Sequence, residues 1–301
     1  MVGEHREDFA IVGANYKIHK PEGNKNSSWR RIRDKPLVSM IILAAIILGC
    51  IFAGHIQNHD PTGFYLNHLS KAPNTEFYFG TDSLGRDIFS MIWYGGGVSL
   101  IIGLLSMVIM TVIGVVYGCI SGNAGSKTDA VMMRIPELIN SIPVLLLVLL
   151  LISILGAQNI AKISFVIGVT GWCALARIVR SEVRQIRSSE YVLAAQCMGG
   201  SSLHIMRRHL IPNFVSTIMF VVVSSISSSM LMESTLSFLG LGLPVDVISW
   251  GSMLSLANKA LLLNTWWVII FPGVFLIVTM VCITNIAYHF RKETNKRESN
   301  L

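Results

Sequence analysis

Charge is what this chain has least of. Only 14% of its 301 residues are charged, against about a quarter in a soluble domain, and 52% are hydrophobic. A water-soluble globule is excluded, and an integral membrane protein is expected. The five cysteines (Cys50, Cys119, Cys173, Cys197 and Cys282) stand far apart with no C-x2-C pair, which argues against a disulfide framework or a zinc site. No G-x4-G-K-[ST] occurs, so there is no phosphate cradle for ATP. Without H-E-x-x-H or G-x-S-x-G, an intramembrane hydrolase has no candidate apparatus. Heptads, solenoid periods and low-complexity tracts are also missing. No cleavable signal peptide is expected, because the first 36 residues are polar and no small-residue cleavage site follows the first apolar run.

What is present is a series of apolar runs, predicted to span at about 37–53, 98–121, 139–155, 163–179, 214–238 and 266–290. The first is only just long enough for a bilayer core. Residues 1–36 and 291–301 read as polar tails, 54–97 as an external segment, and 98–290 as one five-helix core. The net charge of +7 is placed by topology and does not imply nucleic acid. Six spans put both termini on one side, and 20 of the 24 Lys and Arg residues fall there, leaving Lys71, Arg86, Lys162 and Lys259 opposite. By the positive-inside rule, both termini and the loop after the fourth span are cytoplasmic.

That loop, residues 188–213, is the most patterned stretch. Ser188 and Ser189 offer N-cap oxygens, and Glu190 puts an anion in the first turn, where the helix dipole favours it. Ala194 and Ala195 keep one face bare. Gly199-Gly200 stop the helix through a left-handed turn, and Pro212 limits the next helix. A helix, a glycine elbow and a second helix on the membrane surface are expected. The pattern E-x3-A-A-x3-G-x9-(I)-x-(L)-P resembles the EAA loop of ABC-importer permeases, with Glu190, Ala194, Ala195, Gly199 and Pro212 in register. His209 stands where Ile is usual, and Ile211 where Leu is.

A second match lies at residues 79–100. Gly80-Thr81-Asp82 and Leu84-Gly85-Arg86-Asp87, with Ser90, Tyr94, Gly95, Ser99 and Leu100, resemble the signature of permeases in the peptide/nickel ABC-importer family. Read locally, Thr81 and Asp82 close a turn, Gly85 permits a bend, and Arg86 can pair with Asp87. Met91 and Gly97 stand where the family often carries arginine. Met133-Arg134 with Ser141-Ile142-Pro143 is similar too, with Glu137 in the family's Asp position. So are Glu233-Ser234 through Gly242, Ser249-Trp250-Gly251 and Trp266-Trp267, whereas the family's G-D-x-x-R-D ending is absent. The matches cover roughly residues 77–273.

The resemblance implies an all-α, six-helix type I permease, the second of two related permease subunits, importing peptides or nickel chelates. It implies a heterodimer with a homologous permease, two cytoplasmic ATPase subunits carrying ATP and Mg, and an extracytoplasmic binding protein. The Glu190 loop would be the coupling element, and this chain would hold no cofactor or catalytic group. The alternative, an ion-coupled secondary transporter or channel, needs midplane carboxylates or broken helices in paired halves. Only Glu137 and Glu233 offer themselves, both near span ends.

Three further features stand on residue chemistry alone. Gly114, Gly118 and Gly122 share one helix face and permit close packing. The fifth span carries seven serines from Ser224 to Ser237, with Glu233 near its outer end. Ser224, Ser228 and Glu233 could border a polar substrate's path, or the hydroxyls could simply bond the preceding turn. Both readings stay open. His55, His59 and His68 could hold a metal, but their loose spacing favours solvated histidines.

Overall fold

Gly114, Gly118 and Gly122 set the architecture by letting two long helices touch. The computed structural model describes residues 36–156, 158–190, 192, 197–199, 211–244 and 246–298. Helix α1 spans Leu37–Ile51 and a short α2 spans Ala53–Ile56. They are followed by α3 (Ile88–Asn123), α4 (Ser126–Asn140), α5 (Val144–Leu155) and α6 (Ile160–Arg187). The series ends with α7 (Ile211–Phe238), α8 (Trp250–Leu254), α9 (Ala257–Leu262) and α10 (Trp267–Glu298). Thr81 and Asp87 form an isolated antiparallel bridge, and no strand occurs among the described residues.

Helix α3 packs along α6 through its glycine face. A Cβ on Gly118 would sit 2.6 Å from the Ala176 carbonyl oxygen, and one on Gly122 3.0 Å from that of Arg180. Only glycine lets the two backbones come this close. Leu175, Val179 and Val183 of α6 fill the space opposite with no exposed surface worth counting. Helix α7 lies against α10, α3 and α6, and α8 tucks among α3, α7 and α10. Trp250 of α8 is wholly buried and donates its indole N–H to the Ile92 carbonyl at 2.9 Å.

By length and apolarity four helices can cross a membrane: α3, α6, α7 and α10. The third expected span is not one rod. Pro143 removes a backbone donor and disfavours helix at Ile142, and the chain turns by 84° between α4 and α5. Counting that pair gives five, with the 15-residue α1 as a further shorter apolar helix. The second span starts ten residues earlier than its apolar run suggested. Asp87 caps it by accepting the Ser90 N–H at 3.1 Å, and Gly95 to Gly97 are carried inside the helix. At ~1.5 Å per residue, the 36 residues of α3 reach well past a ~30 Å hydrocarbon core.

Candidate functional site

Three places carry the residues singled out by sequence: a polar cap at one end of the bundle, a cavity in its middle, and the elbow at the basic end.

The cap is built around a buried ion pair. Asp82 is 1% exposed, and its Oδ1 accepts the N–H groups of Leu84 and Arg86 at 2.8 and 2.9 Å. Its Oδ2 takes the Arg86 Nε–H at 2.8 Å. Arg86 therefore pairs with Asp82 and not, as adjacency in the chain suggested, with Asp87. Successive side chains diverge along the chain, whereas a turn with Gly85 at φ +79° folds Arg86 back over Asp82. Asp87 instead caps α3 and accepts the Ser90 hydroxyl at 2.5 Å. That Ser90 oxygen in turn accepts the N–H groups of Asn58 and His59. Gly80, at φ +76°, lets the Thr81 carbonyl accept the Trp267 indole N–H at 3.1 Å. The cap thus fastens the segment before α3 onto the start of α10. His59 stacks on Phe77 at 4.4 Å, and no group of three metal-ligating side chains occurs among the described residues.

Glu233 is 0% exposed and does not wall the cavity. Its Oε1 accepts hydroxyls from Ser237 at 2.9 Å and Ser249 at 2.7 Å, while Oε2 has no partner among the described residues. Gly251 packs its bare Cα against the carboxylate, where a Cβ would lie 2.8 Å from Oε1. Burial against α8 makes Glu233 a fastener between α7 and the short helix. Sequence reasoning passed over Ser249 and Gly251 as partners, because 16 and 18 residues of chain separate them from Glu233.

The cavity, of about 340 Å³, lies between α3, α5, α6 and α7. Ser224, Ser225, Ser228 and Ser229 line one side, with Thr170, Phe220 and Met232 nearby. Two of the four bond the preceding turn, as one reading of the serines expects, and two do not. Ser225 and Ser228 donate back to the Val222 and Ser224 carbonyls. The buried hydroxyls of Ser224 and Ser229 have no partner among the described residues.

At the basic end α6 runs to Arg187, and the loop that carries the elbow begins one residue later. The Ser188 and Ser189 hydroxyls donate backward to the Gln185 and Ile186 carbonyls at 2.8 and 2.6 Å; the N–H groups they were expected to cap lie largely outside the described residues. The two hydroxyls close the end of α6, whose last carbonyls have no partner within the helix, alongside the backbone N–H groups of Ser188 and Ser189 that reach the Arg184 and Ile186 carbonyls. Glu190 is exposed, and Val192 is fully buried among Leu175, Val179, Val183 and Ile218. Val192 was missed as an anchor; its one signal is a β-branched apolar residue inside a polar stretch. Gly199 takes φ +84°, and no described residue lies within 4 Å of where a Cβ would stand, so the left-handed turn itself demands glycine. Ala194, Ala195, His209 and the rest of 200–210 lie outside the described residues, and Pro212 falls in the first turn of α7.

Residues 114–296 match the family described as the binding-protein-dependent transport system inner membrane component. The chain belongs to that family. This permease is a membrane-embedded transport component and not an enzyme. It is 36% identical over 255 residues to the dipeptide transport system permease protein DppC of Bacillus subtilis, covering 84% of this chain and 79% of that one. Identity to the oligopeptide transport system permease protein OppC of Haemophilus influenzae is 37% over 305 residues, 99% of this chain and 97% of that one. Its fold is also that of a chain in inward-facing structures of the MetNI methionine ABC transporter, with a TM-score of 0.58 at 17% identity. That likeness covers 68% of this permease and 96% of the transporter chain.

The same end of the permease holds a carboxylate that sequence reasoning overlooked. Asp129, in the first turn of α4, is 2% exposed. It accepts Arg180 Nε–H at 2.7 Å and a second Arg180 N–H, the Ser121 hydroxyl at 2.6 Å, and lies 3.1 Å from Arg184 Nη1. The Arg180 hydrogen bonds, helped by Ser121 and by the charge of Arg184, hold its carboxyl down at about 2. Glu137, by contrast, pairs with Arg134 in the open at 2.8 Å.

Proposed function

We propose that this permease imports peptides as one half of a transmembrane pair driven by two ATPase subunits. An extracytoplasmic binding protein would deliver the substrate, a homologous permease would complete the path, and ATP and Mg would sit on the ATPases. Glu190, Ala194, Ala195, Gly199 and Pro212 would form the element gripped by an ATPase, with that loop and both termini in the cytoplasm. The observation that carries the cargo is the naming of relatives more than 35% identical along most of the chain as dipeptide and oligopeptide permeases. The cavity chemistry agrees with a peptide better than with a nickel chelate. Unpartnered hydroxyls beside apolar surface suit amide groups, since a hydroxyl both donates and accepts.

The test is uptake of a labelled dipeptide into proteoliposomes holding the four membrane and ATPase subunits, with binding protein outside and ATP within. ATP-dependent uptake that Gly199→Asp abolishes, with membrane insertion intact, is expected. Uptake that ignores ATP and follows an ion gradient would overturn the proposal.

A further inference from the structure

Asp129 joins three helices at one point. The Ser121 hydroxyl reaches it from the last turn of α3, Arg180 and Arg184 reach it from α6, and Asp129 itself begins α4. One turn further on, Arg187 Nη1 donates to the Asn123 carbonyl at 2.8 Å, fixing the end of α6 to the end of α3. Tyr117 adds a tie from α3 to α4 by donating to the Met132 carbonyl at 2.6 Å. Alongside, the glycine face holds the α3 and α6 backbones in contact, so α6 cannot swing away from α3 without breaking close packing. A packed pair of this kind transmits displacement rather than absorbing it.

Two consequences follow from where these helices lead. Helix α6 ends at Arg187, where the loop 188–213 that carries the elbow begins, so any force on that loop arrives at Arg187, Arg184 and Arg180. Helix α4 leads through its 84° bend into α5, whose Val144 lines the cavity. The buried carboxylate is the direct bond between the two. Without it α4 follows α6 only through α3, by way of the Tyr117 hydroxyl.

We infer that Asp129 is a positioning residue that ties α4 and α5 to α6, so that movement of the elbow shifts the cavity wall. This rests on the proposed ATP-driven import, in which the elbow is the part that is pushed. Arg180 is the paired cation and Ser121 the link to α3. The role is mechanical, and the residue touches neither substrate nor nucleotide.

The test uses the full importer in proteoliposomes, reading dipeptide transported per ATP hydrolysed alongside the amount of assembled complex. Asp129→Asn keeps the shape but weakens the hold on both arginines. The expected result is hydrolysis by the partner subunits within about threefold of wild type and a transport-to-hydrolysis ratio lowered about tenfold. Charge exchange, Asp129→Arg with Arg180→Asp, should recover part of that ratio. If Asp129→Asn prevents assembly, the double variant Ser121→Ala with Arg184→Gln keeps the Arg180 pair and should still lower the ratio about threefold. A ratio equal to wild type in whichever variant assembles overturns the inference, because a merely structural residue lowers both activities together. Wild-type uptake that does not need ATP would instead sink the import mechanism itself, a distinct outcome visible before any variant is made.

Discussion

Asp129 and Glu233 are both enclosed carboxylates, and different partners keep them. Glu233 is held by serine hydroxyls alone near the C-terminal end of α7, a neutral setting that fastens α8 in place. Asp129 faces two guanidinium groups that follow the apolar run 163–179 of α6, and its folded-state carboxyl lies at about 2 against an ordinary 3.8. A depressed carboxylate contributes stability above its unfolded value, and that contribution fades as the pH falls towards the folded one. The window is therefore pH 4 down to pH 2, and the contribution is on the order of 2 kcal/mol. Thermal melting of the detergent-solubilised permease should show it. The wild type is expected to lose more stability than Asp129→Asn on acidification across that window, so that the two melting curves converge at its acid end. Parallel curves would mean that Asp129 is not ionised against its arginines.

At the scale of helices, packing contact and exposure predict opposite fates for two glycines of α3. Gly118 meets the Ala176 carbonyl oxygen, a backbone atom that cannot rotate aside, at 2.6 Å from a would-be Cβ. Gly118→Val should force α3 and α6 apart and cost about 2–4 kcal/mol, the range of severe overpacking. Gly97 has nothing within 4 Å, so Gly97→Ala should be neutral or gain up to about 1 kcal/mol from helix propensity. Accumulation in membranes and melting of the purified protein would rank them, and equal behaviour would remove the glycine face as the basis of the α3–α6 pair. The spacing of Gly114, Gly118 and Gly122 announced that face because a four-residue repeat is a local property. Helix ends were less legible. The early start of α3 depends on Asp87 folding under Ser90, and the break before α5 on Pro143, neither of which a hydropathy run records. Arg86 was assigned the wrong acid for the same reason, since the turn at Gly85 decides which neighbour it meets. The α3–α4–α6 tie was invisible because Asp129 and Arg180 are 51 residues apart, and only the paired helices bring them together.

For the molecule as a whole, the decisive matter is which side of the membrane bears the elbow, and the chain carries its own reporter. Cys197 is exposed two residues before Gly199, beside Met198, which is 82% exposed. Cys119, Cys173 and Cys282 are buried, and Cys50 is half-buried at the far end of α1 from the basic tail. A membrane-impermeant maleimide should therefore modify this permease chiefly at one thiol. If basic residues mark the cytoplasmic side, Cys197 should react in inside-out vesicles and stay silent in right-side-out cells. Addition of the ATPase subunits should then protect it, since an exposed apolar Met is the kind of surface a partner's groove would cover. Cys197→Ser supplies the blank. Labelling from outside would place the elbow where no ATPase can reach it. Labelling from inside without protection would keep the topology but separate the elbow from the motor.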